Sequence, residues 1–406
     1  MSDHATLDDL GGAGPLAGVR VLDIGTMLAA PIVAQILGDF GADVIKVEHP
    51  AIGDTLRHNG LAKDGIPLWW KSVGRNKHTI TLDLSKPEGA ELFRKLAITT
   101  DVIVENFRPG TMEKWGLSYE SLNEANPDLI LLRISGFGQR GPYVDRPAYG
   151  TVVECLGGWA HMNGQPDGPP TLPPYGLADN LAAMSGAIAV CMALFARQIG
   201  MSRGQLLDVS LMRSIMAPLS SLPLFFDQLG VIESRTGNGG AAPRGIFRTL
   251  DGSWVGLSAA SEQTARRVAI MIERPDFVDQ EWYATGRSRQ GHEEEINAAV
   301  AAWIGARDLG TVVESAARVG IPLGTVQDIG AVMQDPQVNE LDIITTVHDE
   351  QLGKIRMNNV LFGMSETPGR VRFPGRQMGA DNSWIFAKEL GLSDADIARL
   401  AKEMVI

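Results

Sequence analysis

Between Val19 and Ile134 short apolar runs alternate with helical segments, and this alternation limits the fold more than any other feature. Val19–Ile24 has the pattern of a strand. Pro31–Phe40 is helical, with proline near its first turn and Gly41 as its stop. Further strands are predicted at Asp43–Val47, Thr79–Leu82, Val102–Val104 and Leu129–Ile134, with a helix at Pro87–Leu96. Strands joined by helices of this length imply an α/β fold with a mainly parallel sheet covered on its faces.

Beyond this stretch the pattern predicts a helix at Asp179–Gln198, a strand at Gln205–Ser210 and a helix at Leu211–Gln228. A glycine-rich loop, Gly237 to Gly245, follows, then a strand at Trp254–Leu257. The region to about residue 340 is mostly helical, with Glu293–Ile304 and Leu309–Val319 the clearest segments, and reads as a smaller unit. Short strands and a final helix, Ser393–Met404, close the chain. The expected organisation is a tail at 1–15, a large domain over 16–220, a linker and small domain over 221–345, and a return to the large domain over 346–406.

The 406 residues are 44% hydrophobic and 21% charged, enough for a large core. A net charge of −12 argues against nucleic acid as a partner, though local Lys and Arg can still hold a small anion. Residues Met1–Gly14 are polar and acidic, unlike a signal peptide. The longest apolar stretch, Leu181–Ala196, falls about one turn short of a membrane span and reads as a buried helix. Only Cys155 and Cys191 are present, both in apolar surroundings, which suits a reducing cytoplasm. No membrane association is expected. The first strand leads into Gly25-Thr26-Met27-Leu28-Ala29, not the glycine fingerprint of a dinucleotide site. P-loop and nucleophile-elbow motifs are missing, and the scattered histidines offer no metal site. Carboxylate chemistry or a binding role remains.

Several stretches together resemble the class III CoA-transferases, the CaiB/BaiF group that includes formyl-CoA transferase and related acyl-CoA racemases. They are Pro15 to Asp23, Leu37 to Glu48, Asn76-Lys77 before Leu82-Asp83-Leu84, Asp101 to Gly110, Ile134 to Gly138, and Gly176-Leu177-Ala178-Asp179. Gly320-Ile321-Pro322 and Asp335-Pro336 fit the family's smaller domain. The resemblance implies a Rossmann-like large domain, a smaller α+β domain and an interlocked homodimer. It also implies that a CoA thioester is a substrate, with no permanently bound cofactor.

The resemblance assigns Asp179 as the nucleophile; read by itself, an Asp before an apolar helix is an N-cap. In the implied chemistry the helix dipole keeps this carboxylate ionised. It takes the acyl group as a mixed anhydride and then carries the CoA as a thioester. Gly239 and Gly240 would give backbone N–H groups to the oxyanion, where a flexible turn is the plain reading. His49, Asn106, Phe107, Arg108, Lys114, Ala148 and Tyr149 fall where the family contacts CoA, His49 at a place where relatives can have Arg. Tyr149 stands where the racemases have a histidine base, so a transferase fits better; a phenol of pKa near 10 is a poor base at neutral pH. Leu28 replaces the glutamine of formyl-CoA transferase, which points away from oxalate. Arg244 offers a fork for the far carboxylate of a dicarboxylic acid, or is a surface arginine. The implied activity is CoA transfer from an acyl-CoA, with succinyl-CoA a plausible donor, to a dicarboxylic acid. The alternatives are an acyl-CoA racemase or a silent subunit of a heteromeric transferase.

Overall fold

In the computed structural model, which describes residues 14–240 and 242–406, the chain divides into two compact units. Most of the expected tail, residues 1–13, and Ala241 of the glycine-rich loop lie outside the described residues. The first unit comprises Met1–Trp159, Leu172–Gln228 and Asn339–Ile406; the second comprises Ala160–Thr171 and Leu229–Val338.

The first unit is built on six parallel strands: β1 (Arg20–Asp23), β2 (Asp43–Glu48), β3 (Lys77–Thr81), β4 (Val102–Glu105), β5 (Ile130–Ser135) and β6 (Leu206–Ser210). Their order across the sheet is β3-β2-β1-β4-β5-β6. This is the doubly wound order, in which the chain reverses direction across the sheet between β1 and β4. All but the edge strand β6 are almost wholly buried, as covered parallel strands must be.

Alternate residues of each strand feed two cores. Val21, Val44, Val104 and Leu132 pack under helix α1 (Ala29–Asp39). Leu22, Ile45, Ile80 and Ile103 face helix α2 (Pro87–Ala97) and the chain end at Val405 and Ile406. Gly41, at φ 103°, ends α1 in a backbone region that glycine tolerates, as expected of the stop.

Three segments depart from the sequence reading. The stretch Leu211–Gln228 is not one helix. It breaks into α6 (Leu211–Met216), a 3₁₀ turn at Ala217–Leu219 and α7 (Leu222–Leu229), because Pro218 and Pro223 interrupt the hydrogen-bond ladder. The long apolar helix α5 (Leu177–Gln198) is buried on one face only. Ala182, Ala183, Gly186, Ala187 and Val190 lie against α1 and the sheet, while Met184, Ile188, Met192 and Phe195 are exposed. Among the described residues α5 is the one helix long and apolar enough to cross a membrane, but its small-residue face serves as a layer of the sheet. Cys155 and Cys191 are free and exposed, because the apolar segments carrying them turn those positions outward.

The second unit holds an antiparallel sheet of β7 (Arg244–Arg248), β8 (Trp254–Ser258) and β9 (Leu323–Thr325), with β8 central. Helices at Glu262–Met271, Glu293–Gly305 and Leu309–Val319 cover it around Val255, Leu257, Val268, Ile296 and Val300.

A cluster of two carboxylates and two ammonium groups lies inside the first unit. Asp23, Lys46, Asp54 and Lys77 are each no more than 1% exposed. Lys77 Nζ donates to Asp23 Oδ2 at 2.8 Å and to the Pro31 carbonyl at 2.6 Å. Lys46 Nζ is 3.0 Å from Asp54 and 3.4 Å from Asp23, and also donates to the Gly25 carbonyl. Removing one member of such a cluster leaves a buried charge uncompensated. Asp23→Ala should therefore lose about 3–5 kcal/mol in a urea titration, and a loss below about 1 kcal/mol would show that the cluster is not needed for the fold.

Candidate functional site

The chain reversal between β1 and β4 places two loops side by side at the C-terminal end of the sheet. Asn106, just after β4, accepts from Thr26 N at 2.8 Å and donates to the Thr26 carbonyl at 2.8 Å. One side chain therefore ties the two loops into a single wall. Glu105 shapes the same turn by accepting from Phe107 N at 2.6 Å. Burial pushes the Glu105 carboxyl up to about 8, although that backbone donor and Arg133 pull it down.

Above this wall lies a cavity of about 230 Å³. It is lined by Asn106, Phe107, Arg108, Ala148, Tyr149 and Asp179, among others. Six of the residues expected from the sequence thus meet in one place. Gly136 lets the loop after β5 approach Ala148, since a Cβ there would stand 2.2 Å from the alanine methyl. A second cavity, of about 300 Å³, shares Thr26 and Phe107 with the first and is lined by His49, Lys46 and Trp115. His49 Nε2 is 3.8 Å from Asp83, with the side chain nearly half exposed. Lys114 is exposed at the end of the short helix α3 (Thr111–Lys114) and lines neither cavity.

Asp179 is not an N-cap. Gly176 caps α5 without a side-chain bond, and Asp179 lies in the first turn. Its carboxyl is not held as a low-pKa anion either. Burial, and then the negative charge of Glu154, push it up to about 6, while its own backbone N–H pulls it down. Its setting is tight. A Cβ at Gly150 would lie 2.5 Å from Asp179 Oδ2, so helix α4 (Gly150–Leu156) must begin with glycine for the carboxyl to fit. Leu28 is buried against Leu56, Trp70 and Val73 rather than lining the cavity. It remains a neighbour: a Cβ at Gly176 would meet both Leu28 Cδ1, at 3.2 Å, and Asp179 Oδ2, at 3.1 Å.

Gly239, Gly240 and Arg244 belong to the second unit. Arg244 opens strand β7 rather than riding the loop, because Ile246 and Phe247 pair with β8. Its guanidinium donates to the Gly239 carbonyl at 2.6 Å. It lines an open cavity of about 560 Å³ with Asn238, Ser258 and Pro322.

The sequence reading overlooked Thr26, Arg146, Gly150 and Glu154. Arg146 lines the Asp179 cavity, its guanidinium over the Tyr143 ring at 4.4 Å. An acid inside the otherwise uncharged run Gly150–Leu156 was the available sign for Glu154.

A doubly wound sheet with a half-buried carboxyl and arginines at its C-terminal end is an arrangement suited to an anionic ligand. The pattern of CoA-transferase family III matches residues 16–382, so the chain belongs to that family and is a transferase. It is 39% identical over 395 residues to succinyl-CoA–D-citramalate CoA-transferase of Chloroflexus aurantiacus, covering 97% of this chain and 98% of that one. It is 38% identical over 398 residues to the beta subunit of succinyl-CoA–L-malate CoA-transferase from the same organism, with coverage of 97% and 98%. Among solved structures, a CaiB/BaiF family protein from Brucella suis superimposes with a TM-score of 0.81 at 27% identity, covering 93% of this chain and all of that one.

The raised pKa of Asp179 carries a stability cost with a definite sign. The folded state holds this proton more tightly than the unfolded chain, so ionising Asp179 opposes folding. Asp179→Asn should leave stability unchanged near pH 3. Its advantage should grow between about pH 4 and pH 6 and reach about 1–3 kcal/mol above that. Chemical denaturation across pH tests this, and a variant less stable than wild type at pH 8 would contradict it.

Proposed function

We propose that this enzyme moves CoA from succinyl-CoA to a second dicarboxylic acid, with Asp179 as the carboxyl that is acylated and then carries the CoA. The observation that carries this reading is the Asp179 carboxyl in a cavity whose wall also offers Arg108, at the ligand-binding end of the sheet. The names of the relatives supply the donor and the acid class: succinyl-CoA with D-citramalate or L-malate.

The Asp179 carboxylate attacks the donor thioester, forming a mixed anhydride and releasing CoA thiolate. The thiolate attacks the aspartyl carbonyl, which frees succinate and leaves an aspartyl–CoA thioester. The acceptor carboxylate then attacks that carbonyl and displaces the thiolate, which takes the acceptor acyl group and restores Asp179. Each tetrahedral stage needs N–H donors, the role proposed for Gly239 and Gly240. His49, Asn106, Phe107, Arg108, Lys114, Ala148 and Tyr149 are the proposed CoA contacts. Asn106 already commits its amide to Thr26, so it serves by holding the wall. Arg244 is the proposed reader of the distal carboxylate.

The exposed apolar stripe on α5 supports burial against a second copy, hence a homodimer, and the two free cysteines suit the cytoplasm.

The nucleophile must be ionised, so kcat/KM should fall about tenfold per unit as pH drops below about 6. Hydroxylamine added during turnover with succinyl-CoA should convert Asp179 to a hydroxamate visible by peptide mass spectrometry. Asp179→Ala should transfer no CoA in a panel of acids read by chromatography. Turnover above a few per cent of wild type in that variant would refute the covalent route. Arg244→Lys should raise KM for a dicarboxylic acid far more than for a matched monocarboxylic one; equal effects would remove Arg244 from substrate reading.

A further inference from the structure

Helix α5 lacks what helices of its length commonly have at the start. Its N-cap, Gly176, has no side chain, and the free N–H groups of its first turn need acceptors. The acceptor comes from another helix. Glu154 of α4 is only 2% exposed, and its Oε1 accepts from Ala178 N at 3.1 Å. Glu154 lies one turn after Gly150, so both project from the same side of α4. Gly150 yields the space that Asp179 Oδ2 occupies, and Glu154 holds the backbone of the residue just before Asp179. Glu154 lines neither the Asp179 cavity nor the one beside it.

We propose that Glu154 is a positioning residue for Asp179: from α4 it caps the helix that carries the nucleophile and sets a carboxyl at the start of that helix. The proposal rests on Asp179 being the nucleophile. An acid at the helix start takes the dipole-favoured place and repels a second negative charge. Among the described residues Asp179 has no ion-pair partner to offset this; the other charged or titratable groups around the cavity are Arg108, Arg146 and Tyr149. Burial is the larger cause of the raised pKa, and the charge of Glu154 the next. A more basic carboxylate attacks a thioester faster once it is ionised, so the arrangement raises the rate at neutral pH and gives up activity in acid.

Two variants separate the cap from the charge. Glu154→Gln keeps an oxygen for Ala178 N–H and removes the charge. Its acid limb in kcat/KM should move down by roughly one pH unit, with a plateau kcat several-fold lower and KM for succinyl-CoA unchanged. Glu154→Leu removes both, and should lose at least tenfold more kcat than the glutamine variant. Carbon-13 NMR titration of labelled aspartate follows the Asp179 carboxyl without turnover and should report the same downward shift in Glu154→Gln. A folded Glu154→Gln protein whose Asp179 titrates as in wild type overturns the proposal. Active Asp179→Ala would instead refute the nucleophile reading, and the NMR titration would still decide whether Glu154 sets the ionisation.

Discussion

The ion cluster of Asp23, Lys46, Asp54 and Lys77 is the interaction on which the ligand-binding end of the sheet depends. It joins three adjacent strands and the segment at Asp54 with balanced charges, the condition under which buried ions are tolerable. Its remaining hydrogen-bonding capacity is used on the loop after β1. Asp23 accepts from Gly25 N at 3.1 Å, and Asp54 accepts from Met27 N at 3.0 Å. Those bonds hold Met27 at φ 64°, an uncommon conformation for its residue type. Thr26, between them, is then in place for Asn106. The wall of the cavity is thus fixed from beneath before any side chain reaches a ligand.

How far this arrangement was legible differs from part to part. The parallel sheet followed from the alternation of runs, and its elements match within a few residues, because buried strands leave an apolar signature that needs no partner to interpret. Asp179, Arg108, Ala148 and Tyr149 were gathered through resemblance to a family, and the structure brings them to one cavity. The Asp179 pKa lies above its ordinary value, where the helix dipole alone would lower it. Burial raises it first and the charge of Glu154, 25 positions earlier in the chain, adds to this, and no local pattern reports either the depth of the site or which acid faces which. The same limit applies to Lys46 and Lys77. Each is a charge within an otherwise buried strand, which signals an ionic partner without saying where it lies. The break at Pro218 was visible, but the apolar period on either side of it masked the interruption.

The strand order also clarifies why this sheet need not bind a dinucleotide. In such sites the helix after the first strand directs free N–H groups at a pyrophosphate. Here the corresponding start of α1 is closed off. Leu28, Ala29, Ala30 and Pro31 are all buried, and the Lys77 ammonium already donates to the Pro31 carbonyl. Ala29 still lines the cavity, but there Arg108 and Arg146 provide the positive charge that the helix start withholds.

Helix α5 spans 22 residues, about 33 Å at the usual rise. One end seats Asp179; the middle and far turns carry the uncovered row of Met184, Ile188, Met192 and Phe195. The exposed row and the Asp179 carboxyl are therefore carried by one continuous element, and at the carboxyl end a Cβ at Gly150 would stand only 2.5 Å from Asp179 Oδ2.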